Sequence, residues 1–189
     1  MAGYIIIISG PSGVGKGTII KGVLDRMSDI RITTSATTRK QRPNEINNKD
    51  YFFLSEEEFD HKVQNGEFLE WCIVHQNKYG TLKEEVEKYL NQGYDTILEI
   101  DIQGAKKIRQ QIKNVISVFI TPPTFEDLIR RLFNRKTDEE DVIVRRLSMA
   151  GKELASIGEY DYIVVNNDIS SAIEDIIDII KSVKKENIG

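Results

Sequence analysis

The sequence predicts an α/β fold: a parallel sheet with flanking helices, interrupted by a small inserted subdomain. Three observations carry this. Strand and helix patterns alternate along most of the 189 residues, as they do in successive βαβ units. The first strand is the β-branched run Tyr4-Ile5-Ile6-Ile7-Ile8, apolar throughout like a strand covered on both faces. Residues 35–81 break the alternation; they are rich in Thr, Arg, Asn and aromatics and read as short antiparallel strands.

Taken in order, strands are expected at 4–8, 30–34, 96–100, 115–120 and 161–165. Helices are expected at 15–27, 82–92, 103–112, 124–135, 139–156 and 170–184. Thr124 and Asp127 form a helix-start signature after Pro122-Pro123, and Ser55 with Glu58 does the same for a short helix at 55–65. In the last helix Ile173, Ile176, Ile177, Ile180 and Val183 recur at helical spacing, the pattern of a face packed on a core. Residues 184–189 read as a frayed tail.

Bulk composition narrows the function. Apolar residues make up 40% and charged residues 30%, which fits one globular domain with inserts. The net charge of −4 argues against bulk nucleic-acid binding. Cys72 is the single cysteine, so no intrachain disulfide is expected and a reducing compartment fits. Met1-Ala2-Gly3 lacks the basic start of a signal peptide, and the apolar run after it is too short to span a bilayer. A cytoplasmic protein with no membrane partner is expected.

The chemistry begins right after the first strand. Gly10, Pro11, Ser12, Gly13, Val14, Gly15 and Lys16 form a glycine loop between a strand and a helix. Glycines let the backbone turn tightly with its N–H groups pointing inward, and the helix adds its positive N-terminal end. This is the phosphate cradle of a P-loop NTPase-type sheet, with Lys16 reaching the β- and γ-phosphates of a nucleoside triphosphate. The residue after the lysine is Gly17, where a Ser or Thr hydroxyl normally meets Mg²⁺; Thr18 follows. The Gly-Lys-Gly-Thr form resembles the loop of adenylate kinases and related nucleoside monophosphate kinases. It implies Mg²⁺ held on ATP oxygens and water.

A second anion site is suggested in the insert. Arg39 and Arg42 stand three apart beside a run of hydroxyls, and Tyr51 and Tyr79 follow. Guanidinium groups take phosphate through paired hydrogen bonds, and tyrosine hydroxyls add donors. A solvated basic loop would carry the same residues, and spacing does not separate the two.

Longer segments do. Ser-Gly-Pro-Ser-Gly-Val-Gly-Lys (9–16), Thr-Thr-Arg-Lys-Gln-Arg-Pro (37–43), Lys-Asp-Tyr-Phe-Phe (49–53), Phe-Leu-Glu-Trp (68–71), Tyr-Gly-Thr (79–81), Leu-Glu-Ile-Asp-Ile-Gln-Gly (98–104) and Val-Val-Asn-Asn-Asp (164–168) resemble guanylate kinases, in family order and nearly end to end. The resemblance implies a single domain in three parts: a core (1–34, 82–125, 149–189), a GMP-binding insert (35–81) and a short helical lid (126–148). It places Ser35, Glu70, Thr81 and Asp101 around guanine, with Glu99 alongside Asp101 at the end of its strand. It places Arg39, Arg42, Tyr51 and Tyr79 on the GMP phosphate. It also brings Arg131, Arg135 and Arg146 over the ATP phosphates, while Asn167 is a candidate for the adenine pocket.

The base assignment has its own chemical support. Guanine presents two adjacent donors, N1–H and the N2 amino group, beside the O6 acceptor. A carboxylate such as Glu70 accepts both donors, and the Ser35 hydroxyl can donate to O6. Adenine would turn a lone pair toward the same carboxylate, and mispairing of this kind discriminates by ~10⁴ or more. Asp101 is open to two roles, contact with guanine or organisation of Mg²⁺ through water; no direct side-chain metal ligand is assigned. Among the remaining lid charges, Arg130, Lys136 and Arg145 read as a salt-bridged surface. His61 and His75 lack metal-ligand spacing, and Cys72 and Trp71 read as packing.

The expected reaction is transfer of the γ-phosphoryl group of ATP to GMP, giving ADP and GDP, with Mg²⁺ as cofactor, dGMP also accepted, and a homodimer open. Two alternatives stand beside it: a kinase of another small phosphorylated substrate such as ribose bisphosphate, and a non-catalytic interaction module of guanylate-kinase type.

Overall fold

The structure, a computed structural model, describes residues 3–74, 76–113, 115–134 and 140–186, without the side chains of 134, 140–143 and 145. His75, Arg135, Lys136 and residues 137–139 therefore lie outside the described residues. The strands β1 (Ile5–Ser9), β2 (Ile30–Ile32), β7 (Asp95–Glu99), β8 (Val115–Thr121) and β9 (Tyr162–Val165) form a five-stranded sheet in the order β2-β7-β1-β8-β9. Each falls within two residues of its expected place. The pairs β2–β7 and β8–β9 are parallel. All five residues of β1 are buried, which is why the sequence there is isoleucine without polar alternation.

The chain divides into two compact units. One contains Asp29–Leu98 and Gln103–Val115 with the first residues of the chain. It holds a second, four-stranded sheet, β4-β3-β6-β5, built from β3 (Ala36–Thr37), β4 (Phe52–Phe53), β5 (Phe68–Val74) and β6 (Asn77–Leu82). The expectation of short antiparallel strands needs correcting. β5 and β6 run seven and six residues, and β3 pairs with β4 in parallel. The segment between β3 and β4 is long enough to carry the chain back to the same end, as a parallel pair requires.

The faces of this sheet differ sharply. One packs on α2 (Glu56–Gln64): Ala36, Phe59, Phe68 and Leu82 form a buried cluster, with Trp71 against it. The phenyl rings of Phe59 and Phe68 stack at 4.4 Å. α2 starts with the expected capping box, Ser55 and Glu58 each bonding the other's backbone N–H. The second face carries Thr81, opposite Glu70, and Tyr79, opposite Thr37. A β-bulge in β5, between Phe68 and Glu70, assigns residues to the two faces. Phe68 pairs with Leu82 while Glu70 pairs with Thr81, so two steps on β5 match one on β6. On a regular strand two residues this far apart, Phe68 and Glu70, would share a face. With the bulge, the ring enters the core and the carboxylate leaves it.

The other unit contains Ile6–Ser28, Glu99–Ile102 and the chain from Ile116 onward. It holds α1 (Lys16–Arg26), α5 (Phe125–Asn134), α6 (Glu140–Ala155) and α7 (Ile169–Glu186). In α7, Ile173, Ile176, Ile177 and Ile180 are buried and the helix packs on α1. The helix continues through Glu186, two residues beyond the expected end, so 184–186 are helical and not a frayed tail. At the start of α5, Thr124 Oγ1 accepts from the Asp127 N–H at 3.1 Å, as the start signature required. No helix among the described residues is long and apolar enough to cross a membrane.

Candidate active site

The glycine loop takes its shape from two positions. Gly10 has φ +148°, and a Cβ there would sit 2.2 Å from the Ile120 carbonyl oxygen; only glycine lets the loop leave β1 so close to β8. Gly15, at φ +101°, caps α1 in the left-handed region. Lys16 Nζ donates to the carbonyls of Gly10 at 2.6 Å and Pro11 at 3.3 Å. The ammonium is thus folded back over the loop that would receive phosphate. At Gly17 a Cβ would meet nothing within 4 Å, so the missing hydroxyl has no steric cause. Thr18 is exposed beside it.

Three side chains from distant elements brace this loop. Asn166, 3% exposed, donates from Nδ2 to the Val14 carbonyl at 2.7 Å, and its own N–H bonds Thr121. Its Oδ1 is buried with no hydrogen-bond partner. Arg131 of α5 donates to the carbonyls of Asn166 at 2.8 Å and Val14 at 3.3 Å. It therefore rests on the base of the loop in this state. Glu153 of α6 accepts the Ser12 N–H, with Lys16 and Asp101 as the charged groups facing it. Burial pushes its carboxyl up to about 7; Asp101 adds to the rise, while Lys16 and the Ser12 N–H oppose it.

That shift has a measurable consequence. Between the ordinary carboxyl value of 4.5 and about 7, the folded protein holds a proton that the unfolded chain has released. Stability therefore falls as pH rises through this window. Glu153→Gln is neutral at every pH. Its unfolding free energy is expected to match wild type near pH 4 and to exceed it at pH 8, by at most about 3 kcal/mol. Urea denaturation at the two pH values checks this, and a difference that is flat with pH would contradict it.

In the first unit, Glu70 is 5% exposed and its Oε1 accepts from the Thr81 hydroxyl at 2.9 Å. Thr81 is fully buried. A buried carboxylate on a strand has no packing purpose and must be hydrogen-bonded. Tyr79 lies on the same face, and its ring meets Tyr51 edge-on at 6.1 Å. Arg39 lies over the rings of Tyr51 and Phe53 at 5.3 and 5.6 Å, and its hydrogen-bonding neighbours are Glu45 and Tyr79. Ser35 is half-buried just before β3, and Arg42 is exposed in the loop after it. In the second unit, Glu99 is exposed at the end of β7 and Asp101 half-buried just past it. Arg146 is half-buried on α6.

Three of these residues were not selected from the sequence. Asn166 was passed over for its neighbour Asn167, which is exposed. Continuing the in–out alternation of buried Val164 and exposed Val165 would have chosen Asn166. Glu153 stands seven residues after Arg146, two turns along the same helix face, a weak but usable signal. Glu45 gave no signal at all.

A left-handed glycine turn with a lysine opening the next helix, set at the end of a buried parallel strand, defines a nucleotide-phosphate-binding α/β protein of the P-loop class. A family model described as guanylate kinase matches residues 3–183. The guanylate kinase of Thermotoga maritima is 44% identical over 182 residues, covering 96% of this chain and 88% of the relative. That of Caldanaerobacter subterraneus subsp. tengcongensis is 45% identical over 174 residues, covering 92% and 84%. The crystal structure of guanylate kinase from Anaplasma phagocytophilum matches with a TM-score of 0.80 at 35% identity, covering 96% of this chain and 86% of that one. This chain belongs to the guanylate kinase family.

Proposed function

We propose that this chain transfers the γ-phosphoryl group of ATP to GMP or dGMP, giving ADP and GDP or dGDP. The observation that carries the acceptor assignment is the buried Glu70 carboxylate held by Thr81. It offers an acceptor pair that suits the guanine N1–H and N2 amino group and opposes adenine. Ser35 serves O6, and Asp101 and Glu99 lie at the strand end where ligands gather in open α/β sheets. Arg39, Arg42, Tyr51 and Tyr79 bind the acceptor phosphate. The loop from Gly10 to Thr18 binds the donor phosphates, with Asn167 toward adenine.

The attacking oxygen belongs to a phosphate already largely ionised at neutral pH, since its second pKa is about 6. No strong general base is required. The chain's work is alignment and charge stabilisation. Lys16 leaves the Gly10 and Pro11 carbonyls for the β- and γ-phosphates. Arg131, Arg135 and Arg146 neutralise the charge spread over the transferring group. With Gly17 in place of a hydroxyl after the lysine, the site suits a hydrated Mg²⁺ carried on the triphosphate, and Asp101 would hold its water shell. The ion would neutralise phosphate charge. The same reading divides the chain into core (1–34, 82–125, 149–189), acceptor insert (35–81) and lid (126–148), and places it in the cytoplasm; a homodimer is compatible with it.

A coupled ADP-release assay across GMP, dGMP, AMP, dTMP and ribose bisphosphate tests the assignment. GMP is expected to exceed AMP in kcat/KM by about 10³-fold or more. Equal values would overturn the guanine assignment, and turnover of ribose bisphosphate alone would favour the other kinase class.

A further inference from the structure

Arg39 is the guanidinium proposed for the acceptor phosphate, and the role of Glu45 beside it depends on that reading. The guanidinium is already engaged on one side. Nη2 donates to Glu45 Oε1 at 2.7 Å and Nη1 to Oε2 at 3.0 Å, a two-pronged fork. Nη1 also donates to the Lys40 carbonyl at 2.8 Å. A guanidinium has five N–H bonds in one plane. Both on Nη1 and the inner one on Nη2 are used. Glu45 and Lys40 leave the Nε–H and the outer Nη2–H, a parallel pair on the adjacent edge, and the Tyr79 hydroxyl hydrogen-bonds the guanidinium. A parallel pair of this kind is what a phosphate takes in bidentate fashion.

Two roles are conceivable for Glu45: an anion stand-in that phosphate displaces, or a fixed brace. The loop favours the brace. The Arg42 N–H donates to Glu45 Oε2 at 2.8 Å, the Glu45 N–H bonds the Arg42 carbonyl, and Gln41 donates to the Glu45 carbonyl. The turn 42–45 is closed around this carboxylate, whose side chain is 17% exposed. Removing it from Arg39 would open the turn. Arg42 Nη1 lies 4.0 Å from Glu45 Oε1 and is 62% exposed, so it stays able to swing to a ligand. The same hydrogen bond holds the Glu45 carboxyl below the ordinary range and raises Arg39; the pair stays charged at any working pH.

We propose that Glu45 is a positioning residue for acceptor binding: it grips Arg39 by the Nη1–Nη2 edge so that the Nε–Nη2 edge is the one presented to the acceptor phosphate. Glu45→Gln replaces one prong by an amide that faces a donor with a donor. It is expected to raise the KM for GMP by ~10-fold or more, with kcat and the KM for ATP within ~2-fold. In an Arg39→Ala background the same change is expected to add less than ~2-fold, because its effect passes through Arg39. Guanosine, which lacks the phosphate, is expected to bind wild type and Glu45→Gln equally by calorimetry. An unchanged or lowered KM for GMP, full multiplicative effects in the double variant, or lost guanosine binding would each overturn the proposal. If Arg39→Ala itself leaves the KM for GMP unchanged, the phosphate assignment of Arg39 falls as well; a large Arg39→Ala effect with a silent Glu45→Gln overturns only the brace.

Discussion

Lys16→Ala is expected to lower kcat by at least about 10³-fold while calorimetric GMP affinity stays within about 2-fold of wild type. The ammonium is built into the loop backbone, lying on the Gly10 and Pro11 carbonyls at 2.6 and 3.3 Å. Its neighbours offer no substitute. Arg131 is tied to Val14 and Asn166, and a second lysine is not available in 10–20. The residues proposed to bind GMP, Arg39, Glu70 and Tyr79 among them, belong to a different compact unit, so their sheet does not depend on Lys16 for its packing. Single-turnover phosphoryl transfer and GMP calorimetry on the same preparation separate the two effects. Near-normal turnover would contradict catalysis by positioned charge.

Glu70→Gln is expected to reduce kcat/KM for GMP by about 10³-fold, with the KM for ATP unchanged. The glutamine keeps an oxygen for the Thr81 hydroxyl, now at 2.9 Å from Glu70, so the sheet should retain its hydrogen bond and its fold. On the proposed reading it sets an NH₂ group where guanine would bring a donor. Two donors facing each other in a buried site leave both without partners, and that cost falls on the guanine complex alone. Steady-state kinetics with GMP, alongside guanosine binding, check the expectation. A variant within about 3-fold of wild type on GMP would remove Glu70 from the base pocket.

Most of the fold was readable because its signals are local. The isoleucine run of β1, the capping box of Ser55 and Glu58, and the isoleucine face of α7 each follow from residues within a turn or two of one another. The loop was readable for the same reason, since a phosphate cradle needs its glycines and lysine in one short stretch. The braces were not. Asn166 reaches Val14 across 152 residues, and Arg131 reaches it across 117. Glu153 meets Ser12 from the far side of the chain. Such partners are set by packing, and sequence spacing does not encode them. The insert shows a third case. Its strands were recognised as an interruption, but the parallel β3–β4 pair was not, because partner orientation depends on where the 38–51 segment travels and not on its composition.

The surplus residue in β5 ties two properties together that would otherwise vary independently. Phe68 and Glu70 stand two apart yet serve opposite sides of the sheet. Were β5 regular there, with the two residues still two apart, the benzyl ring and the carboxylate would point the same way, so either the apolar interior would receive charge or the ring would leave it. The odd residue at 69 thus lets one short stretch of strand serve the apolar interior and the proposed base pocket at once.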